Sequence, residues 1–320
     1  MRFIALLFCM LAASAAAQDY PTRPVKMLVP YGPGGATDII ARIVAQRLTE
    51  SLGQSFVVEN RPGANGNIAL EATAKAPADG YTLLVGNVST NAINENIYAE
   101  QLTIRPSRDL VGITKLVEIP HILVANASFA PNNVAELIAA AKKAPGTINF
   151  ASVGVGSYPH LDMERLERAA GIELTHVPYK GGAGQAIPAM IGGEVQLAFF
   201  NMASLLPHIK SGRLKALAAI PSQRIPELPN VPTLAEQGFP GIGTNAWQGM
   251  FAPAATPKPV VDRLYASVAS ALNKREEKEG LAAKMLTVTV SPSPQAFNEL
   301  VRKETQEWGQ FLRGANIKVE

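Results

Sequence analysis

Short apolar runs and amphipathic stretches take turns along this 320-residue chain from residue 25 almost to its end. Residues 25–30 ("VKMLVP") have the length and composition of a short buried strand. Ile39, Ile40, Ile43, Val44, Leu48 and Leu52 then recur at helical spacing, with Arg42, Gln46, Arg47 and Glu50 largely opposite. That spacing predicts an amphipathic helix, which Gly53 ends. "SFVVEN" and "GYTLLVG" read as the second and third strands, with the turn "RPGANGN" and a short helix through Ala76 between them. Repetition of this kind predicts a parallel sheet with helices on both faces.

A second unit of the same kind starts near His121. "HILVAN" and "TINFASVG" read as strands around a helix marked by Val134, Leu137, Ile138 and Ala141. A helix over about 159–170 follows, then the strands "ELTHVPY", "EVQLAFF" and "RLKALAAI", with helices at about 184–191 and 202–211 between them. "TNAWQGMFAPAATP" reads as extended, and two or three helices close the chain, the last over about 293–313. At this length two lobes are expected. The closing helices have no sheet of their own and should pack back on the first lobe. The chain then crosses between lobes twice, near 119–124 and 243–250, which predicts a hinge with a ligand cleft.

The amino terminus bears on compartment. Arg2, an apolar stretch from Phe3 to Ala13 and the small residues Ala15, Ala16 and Ala17 form a secretory signal pattern, too short to span a membrane. Cys9 follows Phe8, where a lipoprotein signal needs Gly or Ala, so cleavage is expected after Ala17. The expected organisation is a signal peptide at 1–17, a first lobe from 18–120 and 244–320, and a second from 121–243. Cys9 is the chain's one cysteine, so the exported chain has none and relies on its core for stability. It carries 28 basic and 26 acidic side chains, scattered rather than clustered. That argues against nucleic acid as a partner.

Two loops carry the chemistry. "PYGPGGATD" at 30–38 and "SVGVGSYPH" at 152–160 each follow a strand, hold closely spaced glycines and open a helix. Glycine allows close backbone approach and positive φ. The first free amides of a helix carry about half a positive charge, worth about 0.3–1 kcal/mol towards an anion. Two such ends could hold an anion without Arg or Lys, and neither loop contains one; Ser157 would act as helix cap and hydroxyl donor. Each loop alone reads equally as a plain turn. Neither is a nucleotide motif, because G-x-x-x-x-G-K-[ST] and G-x-G-x-x-G are both missing. No cofactor and no metal are expected.

The residues also resemble a known family. The opening "YPTRPVKMLVPYGPGGATDIIARIVAQRLTESLGQSFVVENRPGANGNIA" is similar to the substrate-binding proteins of tripartite tricarboxylate transporters, the Bug-type family. So are "DGYTLLVG", "HVPYKGGA", "LPHIKSGRLKALA", "LPNVPTLAEQGFPG" and the tryptophan before "FAPAATP", in order from about Tyr20 to the end. The resemblance implies an α/β chain with a type II periplasmic-binding-protein fold, two α/β lobes joined by a two-crossing hinge. It implies a small carboxylate (a di- or tricarboxylate or an aromatic acid) held between the two loops by amides, hydroxyls and ordered water. It implies delivery in the periplasm to two membrane subunits, by a monomer.

Carried over by that resemblance, the first cradle is Tyr31, Gly34, Gly35, Ala36, Thr37 and Asp38, and the second is Val155, Gly156, Ser157 and His160. Asn87, Ser89, Tyr179 and Gly181 should line the cleft. Some of these have a second reading. Asp38 sits where a first-turn acid caps a helix, and His160 where a structural first-turn residue would. Lys180 is either a solvated strand end or an attractor of anions. Where many relatives read "FDNLPS", this chain reads "FFNMAS", with Phe200 in place of the acid. If Phe200 faces the cleft, the ligand should lack an ammonium group; if it faces the core, nothing follows. A hydrolase built on Ser157 and His160 is the enzymatic alternative, although no third partner orients the pair. A ligand sensor for a membrane receptor is the other.

Overall fold

A computed structural model describes residues 20–221, 223–244 and 246–315. The expected signal peptide and its cleavage after Ala17 lie outside the described residues. The chain begins with β1 (Val25–Val29), α1 (Ala36–Leu52), β2 (Phe56–Asn60), α2 (Asn67–Ala74), β3 (Thr82–Asn87), α3 (Asn94–Ile97), α4 (Pro106–Asp109) and β4 (Leu110–Ile119). It continues with β5 (His121–Asn126), α5 (Val134–Lys143), β6 (Asn149–Ser152), α6 (Tyr158–Ala170), β7 (Thr175–Pro178), α7 (Ala183–Gly192), β8 (Leu197–Asn201), α8 (Met202–Lys210) and β9 (Leu214–Ala219). It ends with β10 (Ala246–Pro253), α9 (Lys258–Leu272), α10 (Arg275–Ala282), β11 (Thr287–Val288) and α11 (Pro294–Ala315).

The strands form two sheets, ordered β11–β4–β10–β3–β1–β2 and β7–β6–β8–β5–β9. The expected parallel pairing holds for β1 with β2 and β3, and for β6 with β7 and β8. Elsewhere the expectation is corrected, because both sheets are mixed. β10 runs antiparallel to β3 and β4, and β5 antiparallel to β8 and β9. The crossings are the cause. The chain leaves the first sheet along β4, with only Pro120 between β4 and β5, and returns along β10, so these two strands lie side by side in opposite directions. β5 and β9 do the same in the second sheet. β4 itself was not anticipated, because Gly112, Thr114 and Lys115 interrupt its apolar pattern.

Each sheet is covered on both faces. In the first, one apolar cluster joins Met27 and Val85 to Ile40 and Val44 of α1 and to Val260 and Leu264 of α9. The other joins Leu28 and Leu84 to Trp247, Phe297, Val301 and Trp308. The closing helices therefore do pack back on the first sheet, as expected. Trp247 Nε1 donates to Glu304 Oε2 at 2.7 Å, fastening α11 to β10; burial pushes the Glu304 carboxyl up to about 7. The result is two α/β lobes joined by a two-crossing hinge.

Candidate functional site

The first loop is shaped to present a helix end. Gly34 has φ of +86°, a left-handed conformation that suits glycine. Gly35 is extended and precedes the helix without a side-chain cap, which leaves the first amides of α1 pointing out of the loop. Asp38 braces this turn. Its Oδ2 accepts from Gly34 N (3.1 Å) and Arg42 Nε (3.0 Å), and its Oδ1 accepts from Asn60 Nδ2 (2.9 Å) and lies 2.9 Å from Arg42 Nη2. Burial pushes this carboxyl up, but the Arg42, Asn60 and Gly34 donors outweigh it and hold it below the ordinary carboxylate range. Thr37 Oγ1 donates to Gln248 Oε1 at 2.8 Å, which ties α1 to the returning strand β10.

The second loop behaves differently. Gly156 N–H donates to His160 Nδ1 (3.1 Å), Ser157 N–H to Gly154 O (3.1 Å), and Tyr158 N–H to Ser89 Oγ (3.0 Å). Pro159 has no N–H. The amides of Gly156, Ser157 and Tyr158, expected to be free, are therefore engaged in this closed form. Ser157 is the N-cap residue of α6 and its hydroxyl is a donor, as expected, but it donates to Gly154 O at 2.7 Å and makes no side-chain cap bond. The glycines here serve packing between lobes. A Cβ on Gly154 would lie 3.0 Å from Asn65 Cβ, and one on Gly156 would lie 2.5 Å from Ile97 Cδ1.

What α1 faces is a narrow cavity between the lobes. Its walls are Tyr31, Gly35, Ala36, Thr37 and Asn87 from the first lobe, and Val153, Tyr158, Ala183, Phe200, Asn201 and Ser204 from the second. Six residues expected from sequence lie on this wall: Tyr31, Gly35, Ala36, Thr37, Asn87 and Phe200. Gly34 and Asp38 form the turn behind it, and Ser89 and Gly181 make bonds between lobes. Val155 lines a neighbouring cavity, whereas Gly156, Ser157, His160 and Tyr179 line neither. Asn201 and Ser204 were missed, since an Asn-x-x-Ser step from strand to helix looks like any junction. The lining residues include no Lys, Arg, Asp or Glu. Asn201 Oδ1 and Ser204 Oγ are buried without a hydrogen-bond partner, as is Gln248 Nε2 behind Thr37. Unpartnered buried polar atoms are costly in a folded protein, and two of these three belong to the cavity wall. Burial keeps the phenols of Tyr31 and Tyr158 protonated, pushing both up.

The lobes touch on either side of the cavity. Gly32 N donates to Gly181 O at 3.0 Å, and Tyr98 Oη (2.7 Å) and Asn65 Nδ2 (3.2 Å) both donate to Val155 O. The hinge lies behind the wall. His121, the first residue of β5, stacks on Tyr158 with ring centres 4.3 Å apart, and burial pushes it down to about 3. Asp162 of α6 accepts from Thr244 N (3.0 Å) and Thr244 Oγ1 (2.7 Å) at the return crossing. Burial outweighs these donors and lifts Asp162 to about 6.

The hydrolase arrangement is not formed. The Ser157 hydroxyl is directed at Gly154 O, while His160 Nδ1 accepts from Gly156 N–H and its ring stacks on His176 with centres 3.9 Å apart. His176 Nε2 is 2.6 Å from Ser152 Oγ, so both rings support the loop from behind. Among the described residues no group of three or more His, Cys, Asp or Glu side chains is arranged to hold a metal ion.

Two α/β lobes crossed twice by the chain, with a cavity at a helix end between them, have the fold of the periplasmic binding proteins. Residues 40–317 match the family described as the tripartite tricarboxylate transporter family receptor. The chain belongs to that family of solute-binding receptors. It is 36% identical over 310 residues to Protein BugT of Bordetella pertussis, covering 97% of this chain and 94% of that one. The R. palustris protein Rpa4515, solved with adipate, has a TM-score of 0.88 at 34% identity, covering 93% of this chain and 99% of its own. MatC from Rhodopseudomonas palustris, solved with bound malate, has a TM-score of 0.85 at 32% identity, covering 91% of this chain and 99% of its own.

Proposed function

We propose that this protein captures a small carboxylate between its lobes in the periplasm and delivers it to the two membrane subunits of a tripartite tricarboxylate-type transporter. The lobes are taken as residues 18–120 with 244–320, and 121–243. The observation that carries the reading is the cavity at the end of α1, where the Ser204 hydroxyl has no partner and can donate to an anion. The carboxylate head sits at the amides of Ala36 and Thr37, where the helix dipole and N–H groups favour an anion. The hydroxyls of Tyr31 and Ser204 and the side-chain amide NH2 groups of Asn87 and Asn201 donate the rest of its hydrogen bonds. Asp38 keeps the loop in shape and does not meet the ligand, since its oxygens are already engaged by Gly34, Asn60 and Arg42. Phe200 supplies apolar wall, so the ligand carries no ammonium group. Relatives solved with adipate and malate support the carboxylate reading. The protein acts as a monomeric carrier and not as an enzyme.

A thermal-shift screen against carboxylic acids, sugars and cations tests this. A ligand at about 100 times its Kd stabilises by roughly 2.7 kcal/mol when it binds only the folded state. Shifts confined to acids support the proposal. Shifts from sugars or cations alone overturn it.

A further inference from the structure

The closed cavity is too small for a whole ligand. Its interior is about 20 Å3, room for roughly one water. With the lobes this close even a carboxylate head enters only if the seam parts slightly, and the rest of the acid has to lie elsewhere. One wall residue, Val153, also lines a second cavity of about 500 Å3 that runs along the seam between the lobes. Its walls include the apolar surfaces of Ile68, Tyr98 and Leu102 from the first lobe, and Lys180 from the second. Ile68 is 52% exposed, one of two large aliphatic side chains so exposed among the described residues. Lys180 makes no ion pair or hydrogen bond among the described residues. The acid on this wall, Glu71, is already engaged by Lys75 Nζ at 2.8 Å and Thr103 N at 3.0 Å. Asn65, buried on the same wall, has φ of +48° and an Oδ1 without a partner. Non-glycine residues held in this conformation cost of order 1–3 kcal/mol and gather at functional sites.

We propose that the seam cavity is the distal half of the ligand site. This rests on the reading that a carboxylate head sits at α1. The body of the acid passes Val153, lies against Ile68, Tyr98 and Leu102, and ends with a second carboxylate at Lys180 Nζ. The substrate class is then an elongated dicarboxylic acid, aliphatic or aromatic, with Val153 setting how readily the body passes. Lys180 is a specificity-determining residue on this account, because it distinguishes a diacid from a monoacid of equal length.

Calorimetric titration tests this with succinate, adipate, azelate and the monoacid nonanoate, on the protein and on Lys180→Gln, Val153→Ala and Val153→Phe. The unsubstituted protein should bind azelate more tightly than succinate or nonanoate. Lys180→Gln should reduce the azelate-to-nonanoate preference by about fivefold, the scale of a solvent-exposed ion pair, and leave succinate unchanged. Val153→Phe should weaken azelate more than succinate, and Val153→Ala should do the reverse. Succinate binding with no gain from chain length, or a preference unchanged in Lys180→Gln and both Val153 variants, overturns this inference alone. Failure of every acid to bind overturns it together with the reading beneath it.

Discussion

Gly184→Ala should separate the lobes without damaging either of them. Gly184 is the second residue of α7, where alanine suits the backbone and favours helix by about 0.5–1 kcal/mol over glycine. In the closed form, however, an added Cβ would lie 2.0 Å from Pro33 O and 3.2 Å from Pro33 C, across the seam. Carbon–oxygen contacts settle at about 3.3–3.6 Å, so the approach is more than an ångström too close. Both sides are backbone, so no side chain can swing aside. Opening the seam by that distance would stretch the Gly32 N to Gly181 O bond beyond hydrogen-bonding range from its present 3.0 Å. Overpacking of this kind costs about 1–3 kcal/mol, which converts to a loss in ligand affinity of about 5–150-fold. The free protein should unfold at the same temperature or slightly higher. Calorimetric titration gives the affinity, and small-angle scattering should show the loaded variant larger than the loaded parent. Unchanged affinity with unchanged scattering would refute the reasoning, because the seam contact would then play no part in the bound state.

Three further outcomes follow from the same geometry. Asp38→Ala removes a carboxylate engaged by Gly34, Asn60 and Arg42, and should lower stability near neutral pH by about 2–3 kcal/mol, the scale of hydrogen bonds to a charged group. Because that carboxyl is held below its ordinary range, its stabilisation is present above the unfolded pKa and lost as pH falls through the folded one; urea midpoints of parent and variant should converge in acid. Asp162 is lifted from 3.8 to about 6, so the folded state keeps a proton that the unfolded chain has released. Stability should then fall as pH rises through that window, by roughly 3 kcal/mol at about 1.4 kcal/mol per pH unit. Asp162→Asn should remove this slope in a pH series of unfolding curves, and an identical slope would refute the assignment. Phe200→Asp places a carboxylate on the cavity wall and should weaken simple dicarboxylates by at least about tenfold, or 1.4 kcal/mol, while admitting aspartate or glutamate. Tight aspartate binding by the unsubstituted protein would contradict the role given to Phe200.

The element order was largely legible because amphipathic helices such as Ala36–Leu52 leave a helical period and fully buried strands such as His121–Asn126 leave short continuous apolar runs. Strand direction was not, because it depends on where the chain crosses between lobes, and periodicity is blind to partners. The first loop was readable from Gly34, Gly35 and the apolar helix behind them. The second was misjudged because its glycines look the same whether they admit a ligand or another backbone. Gly154 and Gly156 admit Asn65 and Ile97, and the amides beside them are used by His160, Gly154 and Ser89. Asn201 and Ser204 matter only because β8 and α8 aim them at the end of a helix far away in sequence. No local pattern records that meeting.

The central claim is that the closed cavity at α1 holds a carboxylate. Gly35 has φ of −77° and ψ of 163°, open to any residue, so Gly35→Val adds bulk at the cavity wall without backbone strain. Titration of a dicarboxylate into the protein and into this variant is the direct measurement. Saturable binding by the protein, abolished in a Gly35→Val variant whose melting temperature is unchanged, is the predicted result. Equal binding by both would place the carboxylate somewhere other than the end of α1.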